Sequence, residues 1–229
     1  CIYVSAFINC KSVEHLTIPA STETIDGLAF ANCVGLRTLE FEEGSQLKEI
    51  SSSAFSNCPQ MTLKNPEVLT KLRTIGDHAF EDCTSLTAFP FPESLTNIGP
   101  AAFRGCFSLS GQIVFPASLK TLSPEVFANC ISLESAKFIP REKYVMKPGF
   151  FAGCEKLSKV TGLNNAVEIG ACAFMGCTSL RELKLGAGLT SIGDWAFKGC
   201  LSLSTDVPAS AAKIGEDAFA YTESVTYAG

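Results

Sequence analysis

One short phrase recurs ten times along the 229 residues, and it constrains the fold more than any other feature. Each copy has an Ile-like residue five positions before a phenylalanine, and most have a cysteine three positions after it. The ten phenylalanines are Phe7, Phe30, Phe55, Phe80, Phe103, Phe127, Phe151, Phe174, Phe197 and Phe219. Successive copies lie 22 to 25 residues apart. A fixed period of about 20 to 29 residues is typical of a solenoid, in which each coil buries its apolar face against its neighbours.

The composition agrees with an ordered chain that has a large core. Apolar residues make up 46% of the sequence and charged residues 18%. The net charge of −5, without a basic stripe, gives no reason to expect a nucleic-acid partner. No apolar run approaches the roughly 18 residues of a membrane span. We therefore expect residues 1–229 to form one solenoid of about ten repeats of 22 to 25 residues, as a segment of a longer array.

The residues around each phenylalanine favour a short helical turn. In the copy around Phe80, a small residue, Gly76, is followed by the acidic Asp77, which is a typical helix start. Two residues after the phenylalanine stands Asp82, where most other copies have Asn or Gly. These residue types tolerate the left-handed conformation that ends a helix, so about one and a half helical turns are predicted per repeat.

Each repeat also contains a predicted strand. Three residues beyond the cysteine an apolar residue returns, and period-two alternation follows, as in Leu39/Phe41 and Leu183/Leu185. Such alternation predicts a short, half-buried strand. The predicted fold is an α/β right-handed solenoid, curved as a horseshoe or arc, with short parallel strands on the concave face and short helical turns on the convex face.

These repeats resemble the BspA-like, or Treponema pallidum-type, leucine-rich repeat family. The segments Leu86-Thr-Ala-Phe-Pro-Phe-Pro and Leu95-Thr-Asn-Ile-Gly-Pro-Ala-Ala-Phe-Arg-Gly-Cys106 together are nearly a full match to its repeat. The resemblance extends over the whole chain. It departs in residues 61–74, in residues 138–151, and at Thr222, which replaces the cysteine of the last copy.

The resemblance implies a location and a function. Members of the family are typically secreted or attached to the surface of bacteria of mucosal communities, and of some parasitic protists. They are implicated in adhesion. The resemblance therefore implies an extracellular or cell-surface, non-enzymatic module for protein–protein interaction, with a host or other-cell protein, or a glycan, as the partner. The alternative is a structural spacer, or stalk, that presents another domain.

Nine of the eleven cysteines occupy the same position of the repeat. Equivalent positions stack with parallel side chains, which is a poor geometry for a disulfide. Zinc sites require closely spaced pairs with further converging ligands, and the sequence has no such pairs. We interpret the nine as a column of buried thiols, and we expect no metal or cofactor. Cys172 lies outside this column and is either a reactive thiol or an ordinary surface residue.

The two histidines do not indicate an active site. Nucleophilic catalysis requires a base beside a nucleophile, with an orienting group behind the base. His15 is expected to face outward from a strand and His78 from a turn, on opposite faces of distant coils. The sequence therefore predicts a protein that is not an enzyme.

The outward positions of the strands form the first candidate binding surface, since solenoids use their concave sheet face as a platform. The row is small and polar, and it changes from acidic near the second repeat to lysine-bearing near the sixth to eighth. The candidates are His15, Thr17, Thr38, Glu40, Gln112, Lys137, Lys159, Thr161, Glu182 and Lys184. The alternative is an ordinary solvated sheet face.

A second candidate is the irregular unit between Phe138 and Phe151, where cations and an aromatic residue interrupt the repeat. Connecting loops of this kind often carry function. The candidate residues of this loop are Arg141, Lys143, Tyr144 and Lys147. The alternative is a solvated loop with scattered charge.

Overall fold

The structure is a computed structural model that describes residues 1–139 and 142–227. Within these ranges the chain forms seventeen short β-strands and two 3-10 helices, Pro66–Val68 and Leu163–Asn165. In chain order the strands are β1 (His15–Ile18), β2 (Thr24–Ile25), β3 (Thr38–Phe41), β4 (Glu49–Ile50), β5 (Thr62–Lys64), β6 (Thr74–Ile75), β7 (Asn97–Ile98), β8 (Gly111–Phe115), β9 (Leu133–Phe138), β10 (Tyr144–Met146), β11 (Lys159–Thr161), β12 (Ala166–Ile169), β13 (Glu182–Leu183), β14 (Ser191–Ile192), β15 (Ser204–Val207), β16 (Lys213–Ile214) and β17 (Ser224–Tyr227).

The strands form two parallel ladders that run along a stack of coils. The first ladder consists of the sheets β1-β3-β5, β13-β11-β9-β8 and β15-β17. The second consists of β2-β4-β6-β7 and β10-β12-β14-β16. Isolated bridges from Ile2 to Ile25 and from Leu122 to Met146 extend the second ladder. Each repeat therefore brings the chain back to the same place one coil further on, and the predicted parallel solenoid is confirmed.

The first ladder is interrupted between β5 and β8. The alternation of Phe89 and Phe91 predicts a strand there, but the structure has none at residues 87–91. Pro90 and Pro92 have no amide hydrogen, so this segment cannot complete a ladder of hydrogen bonds. Both rings still pack against Phe103 in the core, with centroids 5.1 and 5.6 Å from it.

The phenylalanines of the repeat form one continuous column inside the stack. Neighbouring rings are stacked, with centroids 5.1 to 5.8 Å apart and planes within 26° of each other. The column runs from Phe7 at one end to Phe219 at the other. Burial of one such side chain stabilises the fold by roughly 1.5 to 3 kcal/mol. This column is one continuous apolar contact between coils.

The cysteines of the repeat form a second column, as predicted. All eleven cysteines are free, and eight of them are buried. Each of these eight thiols donates a hydrogen bond of 3.1 to 3.2 Å to the carbonyl oxygen of the repeat phenylalanine in the preceding coil. The donors are Cys33, Cys58, Cys83, Cys106, Cys130, Cys154, Cys177 and Cys200. We call these eight residues the thiol column.

The segments around the phenylalanines are tight turns, so the prediction of an α/β fold with helical turns is wrong. His78 and Asp82, two residues before and after Phe80, both have left-handed φ values, 55° and 57°. Their amide groups donate to the next coil, over 2.9 Å to Pro100 O and 2.8 Å to Arg104 O. An α-helix would direct these amides to carbonyls four residues back in the same coil. Hydrogen bonds to the next coil satisfy these amides instead, and they link neighbouring coils.

Candidate functional site

The outer surface of the first ladder, which we call the strand face, carries two columns of polar side chains. Parallel pairing places His15 beside Thr38 and Thr17 beside Glu40. Neighbours within a column are about 4.8 Å apart, because that is the spacing of paired strands. Further along, the same two columns contain the other candidates that lie in strands: Gln112, Lys137, Lys159, Thr161 and Glu182. The interruption between β5 and β8 divides these candidates into two patches.

The N-terminal patch is built on β1, β3 and β5. Its one acidic candidate, Glu40, forms an ion pair with Lys64, with Oε1 2.9 Å from Nζ. The acidic character predicted near the second repeat is therefore offset by a neighbouring cation. Sequence reasoning missed Lys64 because residues 61–74 depart from the repeat pattern, so the outward position of β5 was not recognised.

The C-terminal patch is built on β8, β9, β11 and β13, and its charges differ in their surroundings. Lys159 is paired with Glu182, with Nζ 2.6 Å from Oε2. Lys137 is exposed, and no carboxylate lies within ion-pair distance of it in the part of the chain that the structure describes. Lys184 is exposed and follows the end of β13 rather than lying within a strand.

A groove crosses the strand face at this C-terminal patch. It consists of two depressions of about 440 Å³ and 210 Å³ that share Leu183 and Lys184. The larger one is lined by Val160, Thr161, Gly162, Asn164, Arg181, Glu182, Leu183 and Lys184. The smaller one extends to Ser204, Thr205 and Asp206. We call this feature the strand-face groove.

A tight turn after β11 shapes one side of the groove. Gly162 has a left-handed φ of 86°, and the 3-10 helix Leu163–Asn165 follows it directly. A Cβ on Gly162 would lie 2.0 Å from the carbonyl oxygen of Phe138, so only glycine fits there. The chain therefore turns away from the strand face at this point, leaving Arg181 and Lys184 exposed at the edge of the groove.

The irregular unit is not an exposed loop throughout. Residues 144–146 form β10, which pairs with β12 in the second ladder, so this segment lies away from the strand face. The interpretation of Tyr144 as a loop aromatic is wrong: it is only 8% exposed, and its hydroxyl donates to Gly162 O over 3.2 Å. Lys143 and Lys147 are exposed. Arg141 lies outside the described residues.

The chemistry-bearing side chains are dispersed. His78 Nδ1 lies 2.8 Å from Glu81 Oε2 on the turns, whereas His15 lies on the strand face. Across residues 1–139 and 142–227, no three His, Cys, Asp or Glu side chains converge as metal ligands would.

Burial raises the pKa of the thiols of Cys58 and Cys200 to about 12, so both are protonated at neutral pH and poorly nucleophilic.

The two parallel ladders, the phenylalanine column and the thiol column define a solenoid of the leucine-rich repeat class. A sequence profile described as the BspA-type leucine-rich repeat region matches residues 1–134 and 144–228. The chain belongs to the BspA-type leucine-rich repeat family. Comparison with curated protein sequences finds no match. In the described part of the chain no helix is long and apolar enough to cross a bilayer.

Solved structures show the same fold. The crystal structure of a T. pallidum leucine-rich repeat protein is 27% identical to the chain, with a TM-score of 0.63. That match covers 74% of this chain and 78% of the other. A leucine-rich repeat protein from Eubacterium ventriosum is 24% identical, with a TM-score of 0.67, and the match covers 92% of this chain. The chain spans 59% of that protein's length.

Proposed function

We propose that this chain is a non-enzymatic module, secreted or displayed on a cell surface, that holds a partner protein on its strand face in an adhesion-type interaction. Proteins of this repeat family are typically binding scaffolds, and the chain matches the family over most of its length. The strand face is the surface that we expect to be concave, and solenoids use such a surface as an extended platform.

The observation that carries the proposal is the strand-face groove. It places the exposed cations Arg181 and Lys184 beside Leu183, an apolar core residue that is 8% exposed at its floor. Apolar surface with a charged rim is the usual organisation of a protein interface. Lys159 contributes less, because Glu182 already neutralises it. Lys184 lines the groove, and Lys137 lies beside its residue Thr161 on the neighbouring strand, so we expect these two candidates to contribute most to binding.

The test is binding of the purified chain to a panel of extracellular-matrix proteins and to a glycan array. The double variant Lys137→Glu/Lys184→Glu should bind its partner at least about tenfold more weakly, because it reverses one charge on the groove rim, Lys184, and one beside it, Lys137. The matched control is Lys120→Glu/Lys213→Glu, which makes the same charge change at exposed positions away from the strand face. An equal loss of binding in both double variants would show that only the net charge of the chain matters, and it would contradict the proposed site.

A spacer function remains the second candidate, and the continuity of the stack favours it. Stacked rings from Phe7 to Phe219 and hydrogen bonds between coils make a continuous rod. With ten coils about 4.8 Å apart, the rod is roughly 45 Å long. Failure to bind any member of the protein panel or the glycan array would favour the spacer over the interaction module.

A further inference from the structure

A separate depression lies on the turn face, which is the outer surface of the turns that contain the repeat phenylalanines. Its volume is about 530 Å³, within the roughly 300 to 1,000 Å³ typical of ligand sites. All of its lining residues belong to the turns, so it is separate from the strand-face groove. They are Asp82, Arg104, Gly105, Phe107, Glu125, Ala128, Asn129, Gly149, Ala152, Cys172 and Met175. We call it the turn-face notch.

Side-chain size at one repeat position creates the notch. The residue directly after the repeat phenylalanine is Arg104 in one coil, then Ala128, then Ala152, and then Met175. Two consecutive alanines thus lie between two long side chains. The walls are three coil spacings apart, about 14 Å. Phe107 and Met175, which are 43% and 39% exposed, add large apolar surface at the edge.

One wall of the notch is held in place by ion pairs. The Arg104 guanidinium donates to Glu81 Oε1 through Nε over 2.7 Å and to Glu125 Oε2 through Nη1 over 3.1 Å. These three residues come from three consecutive coils. The arrangement fixes the side chain of Arg104 and uses its charge within the protein, so the guanidinium is not available to attract an anion.

Carboxylates are in excess at the rim. Two glycines leave room for these carboxylates. A Cβ on Gly105 would lie 2.2 Å from Asp82 Oδ1, and a Cβ on Gly149 would lie 2.9 Å from Glu125 Cγ. Of the charged residues that line the notch, Asp82 and Glu125 are acidic and Arg104 is the one cation, and Arg104 is also paired with Glu81 outside the lining. The rim therefore carries net negative charge beside an apolar floor, which suits a cationic group attached to an apolar one.

The negative charge around the notch also affects Cys172, which lines its opposite side. Burial raises the pKa of the Cys172 thiol, and the charges of Asp194 and Glu125 raise it further. Cys172 lies two coils beyond Glu125, with only Gly149 between them at the same repeat position. The carboxylate of Glu125 thus acts across the floor of the notch.

We propose that the turn-face notch docks a segment of a partner protein that carries a lysine or arginine next to a large apolar side chain. The apolar group covers Ala128 and Ala152 between Phe107 and Met175. The cation lies against the carboxylates of Glu125 and Asp82. This surface is distinct from the strand face, so the chain can hold two partners, or two parts of one partner, at the same time.

The three methionines provide the measurement. Met61 and Met146 are fully buried, so Met175 is the one methyl reporter at the notch, and the other two are internal controls. The full chain, labelled with ¹³C at the methionine methyls, is titrated by NMR with 4-phenylbutylammonium, 4-phenylbutanol and 4-phenylbutyrate. We expect the ammonium compound to shift Met175 saturably, with at least about fivefold tighter binding than the alcohol. The carboxylate should bind most weakly.

Two variants separate the apolar floor from the charged rim. Ala152→Leu fills the floor and should weaken binding of the ammonium probe at least about tenfold. Its control, Ala220→Leu, makes the same change directly after Phe219 and should have no effect. Glu125→Gln should weaken binding of the ammonium compound about fivefold and leave the alcohol unchanged, which tests the rim even if Ala152→Leu folds poorly.

The proposal is overturned if all three probes shift Met175 with equal affinity, if the anionic probe binds most tightly, or if neither Ala152→Leu nor Glu125→Gln changes the titration. It does not depend on the strand face. The Lys137→Glu/Lys184→Glu variant should bind the ammonium probe as the unmodified chain does, so failure of one proposal leaves the other intact.

Discussion

The thiol of Cys106 donates a hydrogen bond to the carbonyl oxygen of Phe80, 3.2 Å away in the preceding coil. The same oxygen accepts the amide of Cys83, which closes the turn around Phe80 over 3.2 Å. The carbonyl oxygen of Phe80 thus accepts one hydrogen bond within its own turn and another from the next coil. A buried thiol with such a partner does more than fill space, because it satisfies a polar group and links two repeats.

Cys106→Ala should destabilise the chain by about 1 to 2 kcal/mol, since it removes both a buried sulfur atom and a hydrogen bond. The measurement is the urea dependence of unfolding under reducing conditions. Cys172→Ala is the control, because Cys172 is half-buried and outside the thiol column, and its effect should stay within about 0.5 kcal/mol. A similar effect of both substitutions would contradict a stabilising role for the thiol column.

Alkaline pH should weaken the fold through the thiol column. Burial raises the pKa of these thiols in the folded chain, to about 12 for Cys58 and Cys200, whereas unfolded thiols ionise near pH 8.5. Above that pH the unfolded chain has lost protons that the folded chain retains, so stability falls as pH rises. Each thiol contributes up to about 1.4 kcal/mol per pH unit.

The check is a series of urea midpoints at pH 7.5, 8.5 and 9.5 for the unmodified chain and for Cys106→Ala. Other titrating groups are common to both proteins, so the difference in slope isolates one thiol. The variant should lose stability less steeply, by about 1.4 kcal/mol per pH unit above the unfolded pKa. Identical slopes would show that the Cys106 thiol titrates alike in the folded and unfolded chains.

The sequence predicts most of the stacked strands and the interior, because both follow from apolar positions that recur in nearly every repeat. The helical turns were predicted wrongly for a specific reason. The position two residues before each phenylalanine is left-handed, yet it is occupied by residues such as Glu125 and Trp195, with φ of 55° and 57°. Neither type favours that conformation. Hydrogen bonds to the next coil compensate for it, and a single repeat carries no sign of them.

The candidate sites, too, could be predicted only in part from the sequence. Period-two alternation is enough to identify outward positions such as Lys159 and Glu182, and the repeat length places them side by side. The depth of a surface depression is harder to predict, since it depends on side chains from several coils together. The turn-face notch arises because Ala128 and Ala152 are consecutive between Arg104 and Met175, which becomes visible only when the coils are stacked.

The phenylalanine column should be most sensitive to mutation in its middle. Phe103 is fully buried between Phe80 and Phe127, whereas Phe7 is 43% exposed at the first coil. Phe103→Ala should destabilise by about 3 to 5 kcal/mol, because it leaves a cavity. Phe7→Ala should cost only about 1 kcal/mol, since Phe7 is partly exposed and, among the described residues, has a stacked ring on one side only. Thermal unfolding followed by circular dichroism distinguishes the two, and equal costs would argue against a continuous column.

Two glycines in one connector test how closely neighbouring coils approach. A Cβ on Gly186 would lie 2.1 Å from the carbonyl oxygen of Asn164 in the preceding coil, whereas a Cβ on Gly188 would meet no atom within 4 Å. Neither glycine has a left-handed φ, so the space around each decides the outcome.

Gly186→Ala should destabilise the chain by about 1 to 3 kcal/mol, because the backbone of one coil must move away from the other. Gly188→Ala should be neutral or stabilise the chain by up to about 1 kcal/mol, because alanine restricts the unfolded chain. Urea unfolding of both variants measures the difference. If Gly186→Ala were as stable as Gly188→Ala, the close contact between these two coils would not exist in solution.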